Sequence, residues 1–371
     1  MKTVCSENQC AGCMACVDIC PENAIRVNDD MDAYNAFIDE TMCINCNACH
    51  NVCQNNNKPD AKHPLYWFEG WTNNIEQRKK SSSGGLATAI EQSFMEAGGI
   101  VCSCTFDRGK FRFAFADNKA DLEKFIGSKY IKSNPEGIYK RIKDYVKEKR
   151  KVLFVGLPCQ VAAVKNYIKD NTLLYTIDLI CHGTPSPLVL ESFLADYDMK
   201  LGDIKRIGFR DKTNFRLTND NRNFTVPTVG DSYTMTFLDS TSYTENCYSC
   251  KYAQLTRVSD ITLGDSWGSE LSEDIQSQGI SLVLCQTEKG WELLNKSNLT
   301  LLPVNKERAV AFNHQLRHPS EKTKHRDKFF MKLKKGESFK KVILECYPKR
   351  YIKDILKTAI YNFREGAPVR R

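Results

Sequence analysis

The sequence has no run of about 18 apolar residues, the length that a transmembrane helix requires, so we expect no membrane span. Its first residues lack the apolar core of a signal peptide, and we therefore expect a cytoplasmic protein. The net charge is +8, yet no recognised nucleic-acid-binding module accompanies it. We therefore expect no nucleic-acid partner.

Cysteine is the residue that the sequence has in excess. The 371 residues include 17 cysteines, nine of them within the first 53 positions. The odd number and the short gaps are typical of metal centres rather than of a disulfide framework, and they indicate a reducing compartment. The rest of the composition is ordinary for a globular protein, with 42% hydrophobic and 26% charged residues, and the length allows more than one domain.

Two cysteine quartets with the spacing C-x2-C-x2-C-x3-C begin 33 residues apart near the N-terminus. This spacing resembles that of bacterial two-cluster ferredoxins, in which the fourth cysteine of each quartet binds the other 4Fe-4S cluster. Zinc is the alternative, but zinc ribbons use pairs of cysteines rather than quartets. We therefore assign a first set to one cluster, Cys10, Cys13, Cys16 and Cys53, and a second set to the other, Cys20, Cys43, Cys46 and Cys49. Cys5 lies outside the pattern, and we expect it to bind no iron.

A polar linker with two prolines, residues 54–65, separates this segment from an α/β body. Apolar and aromatic runs predict strands at 66–71, 100–106, 152–155 and 173–180, and helices at about 86–97 and 161–169. The order strand, helix, strand from 152 to 180 predicts a parallel βαβ unit. We predict an α+β or α/β fold: a ferredoxin-like domain at 1–60, a mixed α/β domain at 66–300, and a basic, largely helical extension at 301–371 that packs on it.

A serine- and glycine-rich run, Ser81 to Gly85, directly precedes the helix predicted at 86–97. A helix N-terminus attracts anions, and glycines let backbone N–H groups approach them closely, so this loop is a candidate phosphate or flavin site. The run matches neither the dinucleotide fingerprint nor the P-loop. A flexible linker with an ordinary helix cap remains the alternative.

Four further cysteines lie apart in the sequence. Cys159 and Cys181 each follow a predicted parallel strand, at the edge of the sheet where α/β proteins place ligands. Cys247 and Cys250 form a C-x2-C pair. Together the four thiolates are enough for a third cluster or a zinc ion, and scattered core cysteines are the alternative.

Residues 66 to about 290 resemble the beta subunit of coenzyme F420-reducing hydrogenase and its dehydrogenase relatives. The resemblance is carried by the blocks SSSGGLATA (81–89), GSKYIKS (127–133), VLFVGLPCQVAAVKN (152–166), TIDLICHGTPSP (176–187), FRDKT (209–213), CYSCKYA (247–253) and SDITLGDSWG (259–268). Many relatives have Gly-Trp soon after Asp-Lys-Thr, whereas this chain has Asn214-Phe215-Arg216. The substrate pocket is therefore expected to differ at this point.

The resemblance implies an FAD enzyme with an iron–sulfur cluster near the flavin. It implies FAD contacts at Ser83, Gly84, Gly85, Thr88, Ser128, Lys129 and Tyr130, and ligands of an inner cluster at Cys159, Cys181, Cys247 and Cys250. His182 and Lys129 are candidate catalytic residues, since histidine titrates near neutrality and both could contact flavin or substrate. The alternative for His182 is that it only braces the loop of Cys181.

The parts together predict an iron–sulfur flavoprotein oxidoreductase. We expect electrons from a ferredoxin-like or other redox partner to reach FAD through 4Fe-4S clusters, and hydride to pass between flavin and a small organic or deazaflavin (F420-type) molecule; the reverse direction is equally allowed. Many bacterial relatives occur in surface-polysaccharide loci. A non-catalytic electron-transfer subunit of a larger redox complex and a zinc-stabilised binding module are the alternatives.

Two C-terminal features suggest packing or docking roles, and an oligomer is allowed. The lysines of 305–350 are expected to form a solvated face, or a patch that docks an acidic ferredoxin-like donor; they include Lys332, Lys334, Lys335, Lys340 and Lys341. An apolar stripe, Ile352, Ile355, Leu356 and Ile360, favours core packing or partner docking over membrane binding.

Overall fold

The computed structural model describes residues 2–169, 171–220 and 222–365. It shows a mixed α/β fold with an N-terminal ferredoxin-like domain, as the sequence predicts. The strands are β1 (Ile25–Asp29), β2 (Tyr34–Ile38), β3 (Tyr66–Thr72), β4 (Ile100–Asp107), β5 (Lys110–Ala116), β6 (Val152–Gly156), β7 (Leu174–Leu179), β8 (Ile207–Asp211), β9 (Asn214–Asn219), β10 (Arg222–Asn223), β11 (Ile261–Asp265), β12 (Ser281–Cys285) and β13 (Leu299–Pro303).

Helices cover both faces of the main sheet and form most of the C-terminal region. They are α1 (Ala15–Ile19), α2 (Ala48–Val52), α3 (Ile75–Lys80), α4 (Leu86–Glu96), α5 (Lys119–Leu122), α6 (Ile138–Lys147), α7 (Pro158–Ile168), α8 (Pro187–Ala195), α9 (Ser232–Leu238), α10 (Glu273–Ser277), α11 (Glu288–Lys296), α12 (Lys306–Phe312), α13 (Arg326–Lys334), α14 (Phe339–Cys346) and α15 (Pro348–Arg364). Short 3-10 helices lie at Glu123–Phe125, Leu201–Asp203, Glu245–Ser249 and His314–Leu316.

The main sheet has eight strands in the order β13-β3-β12-β11-β7-β6-β4-β5. The central strands β4, β6, β7 and β11 are parallel, and antiparallel strands flank them on both sides. The βαβ unit predicted from 152 to 180 is therefore present as β6, α7 and β7. Because β6 is buried along its whole length, its sequence Val-Leu-Phe-Val is uniformly apolar rather than alternating. A separate sheet, β10-β9-β8, lies beyond the main one.

The backbone of the ferredoxin-like domain repeats with the 33-residue offset of its cysteines. Gly12 and Asn45 have φ angles of 67° and 56°, and Met14 and Asn47 both have 58°. These left-handed positions wrap the chain around each cysteine turn, and α1 and α2 then begin at equivalent places. Asparagine adopts this conformation more readily than most residues, which explains its use where the first half has glycine.

The ferredoxin-like domain is seated on helices α6 and α7. The buried carboxylate of Asp18 accepts hydrogen bonds from the backbone N–H groups of Gly137 (2.8 Å) and Tyr139 (3.1 Å) at the start of α6. The hydroxyl groups of Tyr139 and Tyr167 donate to the carbonyl oxygens of Cys13 and Asp18. Asp18 thus caps a helix of the other domain, where its charge meets the positive end of the helix dipole.

The C-terminal region differs from expectation in one respect. The apolar stripe at 352–360 does not enter a core, because Ile352, Ile355, Leu356 and Ile360 all keep more than half of their surface exposed. Helix α15 contains no buried residue. The expectation of core packing for this stripe was wrong, because helical periodicity reveals an apolar face but not which way that face points.

The Asp18 cap can be tested by substitution. We expect Asp18→Ala to destabilise the protein by about 1–2 kcal/mol, since two N–H groups at the start of α6 lose their acceptor. Thermal unfolding followed by circular dichroism measures the change, with the exposed Glu22→Ala as the control. An equal effect of both substitutions would show that the cap does not stabilise the domain contact.

Candidate iron–sulfur and flavin site

The second set of cysteines surrounds a surface cavity of about 400 Å³. Cys20 comes from the end of α1 and lines this cavity with Cys43, Cys46 and Cys49 of the other quartet. The crossed assignment predicts this arrangement, although iron binding itself remains a prediction. The backbone N–H groups of Ala24 and Asn45 donate to the sulfurs of Cys20 (3.3 Å) and Cys43 (3.4 Å). Hydrogen bonds of this kind tune the reduction potential of a bound cluster.

The first set lies deeper, against the body of the protein. Burial raises the pKa of the Cys13 thiol to about 12, and the nearby Cys53 thiol adds to the rise. Burial also raises the pKa of Cys16, again with contributions from Cys13 and Cys53. Cys53 therefore lies near Cys13 and Cys16, as the crossed assignment predicts. Burial makes an unbound thiolate costly, whereas bound iron would hold these thiols deprotonated.

Cys5 lies closer to this centre than its sequence position suggests. The neighbouring Cys10 contributes most to raising the pKa of the Cys5 thiol to about 11, and the nearby Cys53 opposes this rise. The side-chain amide of Asn55 lies 3.8 Å from its sulfur. Cys5 is therefore a neighbour of the first set of ligands. Nothing in the quartet spacing indicated this, because the contact depends on how the chain before Cys10 folds back.

The four separated cysteines of the body line one cavity of about 740 Å³, and we call them the inner set. Cys159 lies in the first turn of α7 after β6, and Cys181 directly follows β7, so the two adjacent parallel strands bring them together. A loop that begins with the 3-10 helix Glu245–Ser249 supplies Cys247 and Cys250. The four cysteines therefore lie together in the structure. The alternative, scattered core positions, does not describe them.

The inner set is adjacent to the first set. Burial raises the pKa of the Cys159 thiol well above its usual value; Lys132 opposes this rise, and the thiols of Cys250, Cys181 and Cys13 add to it. Cys13 belongs to the ferredoxin-like domain, so the two sets face each other. The same cavity is lined by Ala11 and Gln54 of that domain.

The donor sets fit iron–sulfur clusters better than single ions. Within the part of the chain that the structure describes, no three His, Cys, Asp or Glu side chains converge closely enough to hold one metal ion. The second and inner sets instead place four thiols around a cavity. A 4Fe-4S cluster takes four cysteine ligands around a volume larger than one ion.

Lys132 is a site residue that the sequence reasoning missed. It is only 6% exposed, and its Nζ donates to the carbonyl oxygen of Ala11 at 3.2 Å. It lies over the ring of Tyr34 and lowers the pKa of both Cys159 and Cys181. Its position within the block GSKYIKS was the available signal, but no sequence feature distinguished it from the neighbouring Lys129.

The serine- and glycine-rich loop is held firmly against the sheet. A Cβ atom at Gly84 would lie 2.4 Å from the carbonyl oxygen of Gly70, so close packing requires glycine there. Gly85 has a φ of +80° and caps α4, whose first turn receives no hydrogen bond from a capping side chain. The ammonium group of Lys212 donates to the carbonyl oxygens of Ser81 (2.7 Å) and Ser83 (3.1 Å). The charged block FRDKT therefore fixes the loop.

The serine hydroxyl groups of this loop already have protein partners. Ser81 Oγ donates to the carbonyl oxygen of Gln77, and Ser83 Oγ donates to that of Ile280. Ser82 Oγ accepts from the backbone N–H of Ser128 at 2.9 Å, which ties two blocks of candidate FAD contacts together. The N-terminus of α4 receives no hydrogen bond from a capping side chain and therefore remains open to a ligand.

An aromatic and charged cluster lies beside this loop. The ring of Tyr130 stacks on Phe215 and Phe237, with centroids 5.9 Å and 4.4 Å apart. Arg210 donates two hydrogen bonds to Asp265 (2.6 and 3.0 Å) and one to the hydroxyl of Tyr130 (3.2 Å). Phe215 lies at the point where many relatives have Gly-Trp, and here its ring forms part of this cluster. The carboxylate of Asp265 is thus paired with the buried guanidinium group of Arg210.

His182 connects the inner set to that cluster. Its Nδ1 lies 2.7 Å from the side-chain amide nitrogen of Gln315, which as a donor would leave the proton on Nε2. Crowding by the surrounding protein lowers the pKa of His182, and His314 adds to this effect, although part of the ring remains open to the cavity. The hydroxyl of Ser320 also donates to the carbonyl oxygen of His182, so hydrogen bonds hold both the backbone and the side chain of this residue.

Lys129 points away from the solvent. Its Nζ donates to the carbonyl oxygens of Phe125 (2.7 Å), Ile126 (3.3 Å) and Gly127 (3.0 Å). Burial lowers the pKa of Lys129, and the nearby Glu91 opposes this effect. Burial raises the pKa of Glu91 to about 8. In this arrangement Lys129 holds its own loop together.

Comparison with known families follows the same division of the chain. Residues 9–57 match the 4Fe-4S dicluster domain. Residues 67–136 and 149–304 match the N-terminal and C-terminal parts of the coenzyme F420 hydrogenase/dehydrogenase beta subunit, and together these two matches cover more than half of the chain. The chain belongs to this family. It is therefore an electron-transferring iron–sulfur protein of the oxidoreductase type.

Comparison with solved structures gives a match of low sequence identity. A chain in the xenon-derivatised F420-reducing NiFe hydrogenase complex from Methanosarcina barkeri matches with a TM-score of 0.49 and 19% identity, covering 70% of this chain and 91% of that one. No curated protein sequence matches the chain. No helix in the described ranges is both long and apolar enough to cross a membrane.

Iron content tests the inner set. We expect Cys247→Ala to lower the iron content of anaerobically purified protein from about twelve to about eight atoms per chain, because one four-iron centre loses a ligand. The buried Cys285→Ala, in β12, is the matched control and should leave the iron content unchanged. Unchanged iron in Cys247→Ala would remove this residue from the set of ligands.

Proposed function

We propose that this beta-subunit homologue is an FAD-dependent iron–sulfur oxidoreductase. It would exchange electrons with a ferredoxin-like partner and hydride with an organic or deazaflavin (F420-type) molecule. The organic molecules considered include substrates of surface-polysaccharide synthesis. The observation that best supports this proposal is the placement of the inner set between the ferredoxin-like domain and the carboxyl edge of the main sheet.

The three sets of thiols lie in an order suited to electron transfer. The second set opens to the surface at Cys46, beside the exposed side chains of Met42 and Ile44. The first set lies behind it and approaches the inner set at Cys13 and Cys159. A redox partner that docks at Cys46 would therefore meet the outermost centre. Exposed apolar side chains of this kind can form the buried core of a protein–protein contact.

The candidate flavin region lies farther along the same edge. Cys159 and Cys181 follow β6 and β7, Asp265 ends β11, and the loop around Gly84 packs against the start of β12 at Ser281. Since these strands are neighbours in the sheet, the loop and the inner set lie on one edge with Asp265 between them. Open α/β sheets bind their ligands at this edge.

The chain offers a specific place for the phosphates of FAD. The first turn of α4 has no capping side chain, and Thr88 in that turn is half-buried. Helix N-termini bind phosphate through free N–H groups and the helix dipole. We assign the candidate contacts Ser83, Gly84, Gly85, Thr88, Ser128, Lys129 and Tyr130 to this cofactor on the strength of the family resemblance and of this placement.

FAD, when bound, would exchange hydride with the organic molecule and single electrons with the clusters. The residues of the chain would hold and orient these groups. With its Nδ1 beside the side-chain amide of Gln315, His182 would present Nε2–H as a hydrogen-bond or proton donor next to the inner set, which supports a catalytic role. Lys129 is already bonded to three carbonyl oxygens, which favours positioning of the 125–130 loop over direct chemistry.

Purification without oxygen decides between this enzyme and a simpler electron carrier. About twelve irons and one FAD per chain would support the proposal. Iron without flavin, even after reconstitution with FAD, would contradict it and leave a non-catalytic subunit of a larger redox complex. A colourless protein with zinc would contradict both.

A charge placed at the start of α4 tests the flavin site without disturbing the fold. We expect Ala87→Asp to lower the FAD content severalfold, because its carboxylate repels phosphate, while the same charge stabilises the helix N-terminus. Ala87→Asn is the matched neutral control. Flavin and iron are quantified in both variants; equal flavin content at equal thermal stability would mean that the phosphates bind elsewhere.

Removal of the buried ammonium group tests the role of Lys132. We expect Lys132→Met to make the reduction potential of an adjacent cluster more negative by on the order of 50 mV, because a nearby positive charge favours the reduced state. Lys132→Arg should keep most of the potential, and the exposed Lys143→Met should not change it. Redox titration followed by electron paramagnetic resonance measures the shift, and an unchanged potential in Lys132→Met would assign Lys132 to packing alone.

A further inference from the structure

Helix α15 rests on the protein through its polar side. Tyr351, Asp354, Thr358, Tyr361 and Asn362 are its half-buried residues, and in a helix they fall within one sector. Tyr351 packs against the apolar core that α13 and α14 form with α8. A surface helix normally turns its apolar residues inward, so this orientation is reversed.

The outward sector of α15 is apolar. Ile352, Leu356 and Ile360 are 54%, 58% and 54% exposed, and Phe363 is 90% exposed. Ile355 lies next to this row and is 53% exposed. These five large apolar side chains are left uncovered by the described part of the chain and form a patch, and patches of this kind mark binding surfaces.

Basic residues follow one border of the apolar row. Lys349, Lys353, Lys357 and Arg364 are exposed, and among the described residues none of them forms an ion pair. The single acidic residue of the helix, Asp354, lies on the packed side and pairs with Arg350 at 2.7 Å. The exposed surface of α15 therefore combines apolar side chains with uncompensated positive charge.

We propose that α15 docks on an anionic lipid bilayer and lies in its interface. An apolar row bordered by lysines matches the two layers of such a surface, since the side chains enter the acyl region while the ammonium groups meet the anionic headgroups. The helix has 17 residues, and no described helix is long and apolar enough to cross a membrane, so we expect α15 to lie on the membrane rather than to cross it. A second copy is a poorer occupant, because the border carries no acidic row to meet the lysines of its twin.

The five lysines noted farther upstream do not compete for this role. Lys332 pairs with Glu337 and Glu345, Lys341 with Glu337, and Lys334 with Asp32. Lys340 donates to the carbonyl oxygen of Asp196. Four of these charges are thus satisfied within the protein, which weakens the expected docking patch for an acidic protein, whereas the lysines of α15 form no ion pair with the described residues.

Vesicle sedimentation with the full-length, cluster-loaded protein tests the proposal, which does not depend on the proposed redox chemistry. We expect the protein to sediment with phosphatidylcholine vesicles that contain about one third phosphatidylglycerol, and far less with phosphatidylcholine alone. Lys353→Glu combined with Lys357→Glu should weaken binding roughly tenfold or more, since two attractive charges become repulsive. Leu356→Gln combined with Phe363→Gln should abolish it.

The matched control reverses two lysines at the same spacing on another exposed helix, Lys143→Glu with Lys147→Glu in α6. It should bind as the unmodified protein does, and equal iron content and circular dichroism confirm that every variant is folded. Equal loss of binding in the control would reduce the effect to net charge and overturn the proposal. So would the absence of sedimentation at low salt, or a dimer that becomes a monomer when Leu356 and Phe363 are replaced.

Discussion

The contact between the ferredoxin-like domain and helices α6 and α7 is the interaction on which the rest of the site depends. Asp18 caps α6 from outside its own domain, and Tyr139 and Tyr167 donate hydrogen bonds back to that domain. One apolar core cluster contains residues from both sides, so separation of the domains would expose it to water. This contact brings the loop of Cys13 next to Cys159, and the first and inner sets of thiols become neighbours.

Clusters held by the first and inner sets would concentrate negative charge at this contact. Each bound cluster brings four thiolates, and burying charge without compensation is costly. Two buried cations lie near these thiols and oppose that negative charge. Lys132 lies between the first and inner sets, and Arg257, 2% exposed, is held by Asp178 on the far side of the same cavity, where it lowers the pKa of Cys250. Both cations also bond to backbone carbonyl oxygens, so their positions are fixed before any cluster binds.

The parallel order of β6, β7 and β11 gives the second constraint. Parallel neighbours end at the same edge, and the chain uses that edge for Cys159, Cys181 and Asp265 in succession. The hairpin of β8 and β9 then closes over it, since Arg210 reaches Asp265 and Lys212 clamps the loop before α4. The clamp explains why residues of FRDKT, SSSGG and GDSWG occur together in one sequence: they hold one another rather than acting separately.

The sequence by itself determined the features that depend on short spacing. The spacing within each cysteine quartet, the βαβ unit at 152–180 and the helix after Gly85 are local, because a turn or a strand is specified by adjacent residues. The crossed sharing of the quartets remains a prediction from the ferredoxin spacing. Only the tertiary structure decided which distant residues meet. It gathered Cys247 and Cys250 with Cys159 and Cys181, buried Lys132 between two thiol sets, brought Cys5 to Cys10, and turned the apolar face of α15 outward. Periodicity gives a face but not its direction, and the partner of a buried charge is set by packing across the whole fold.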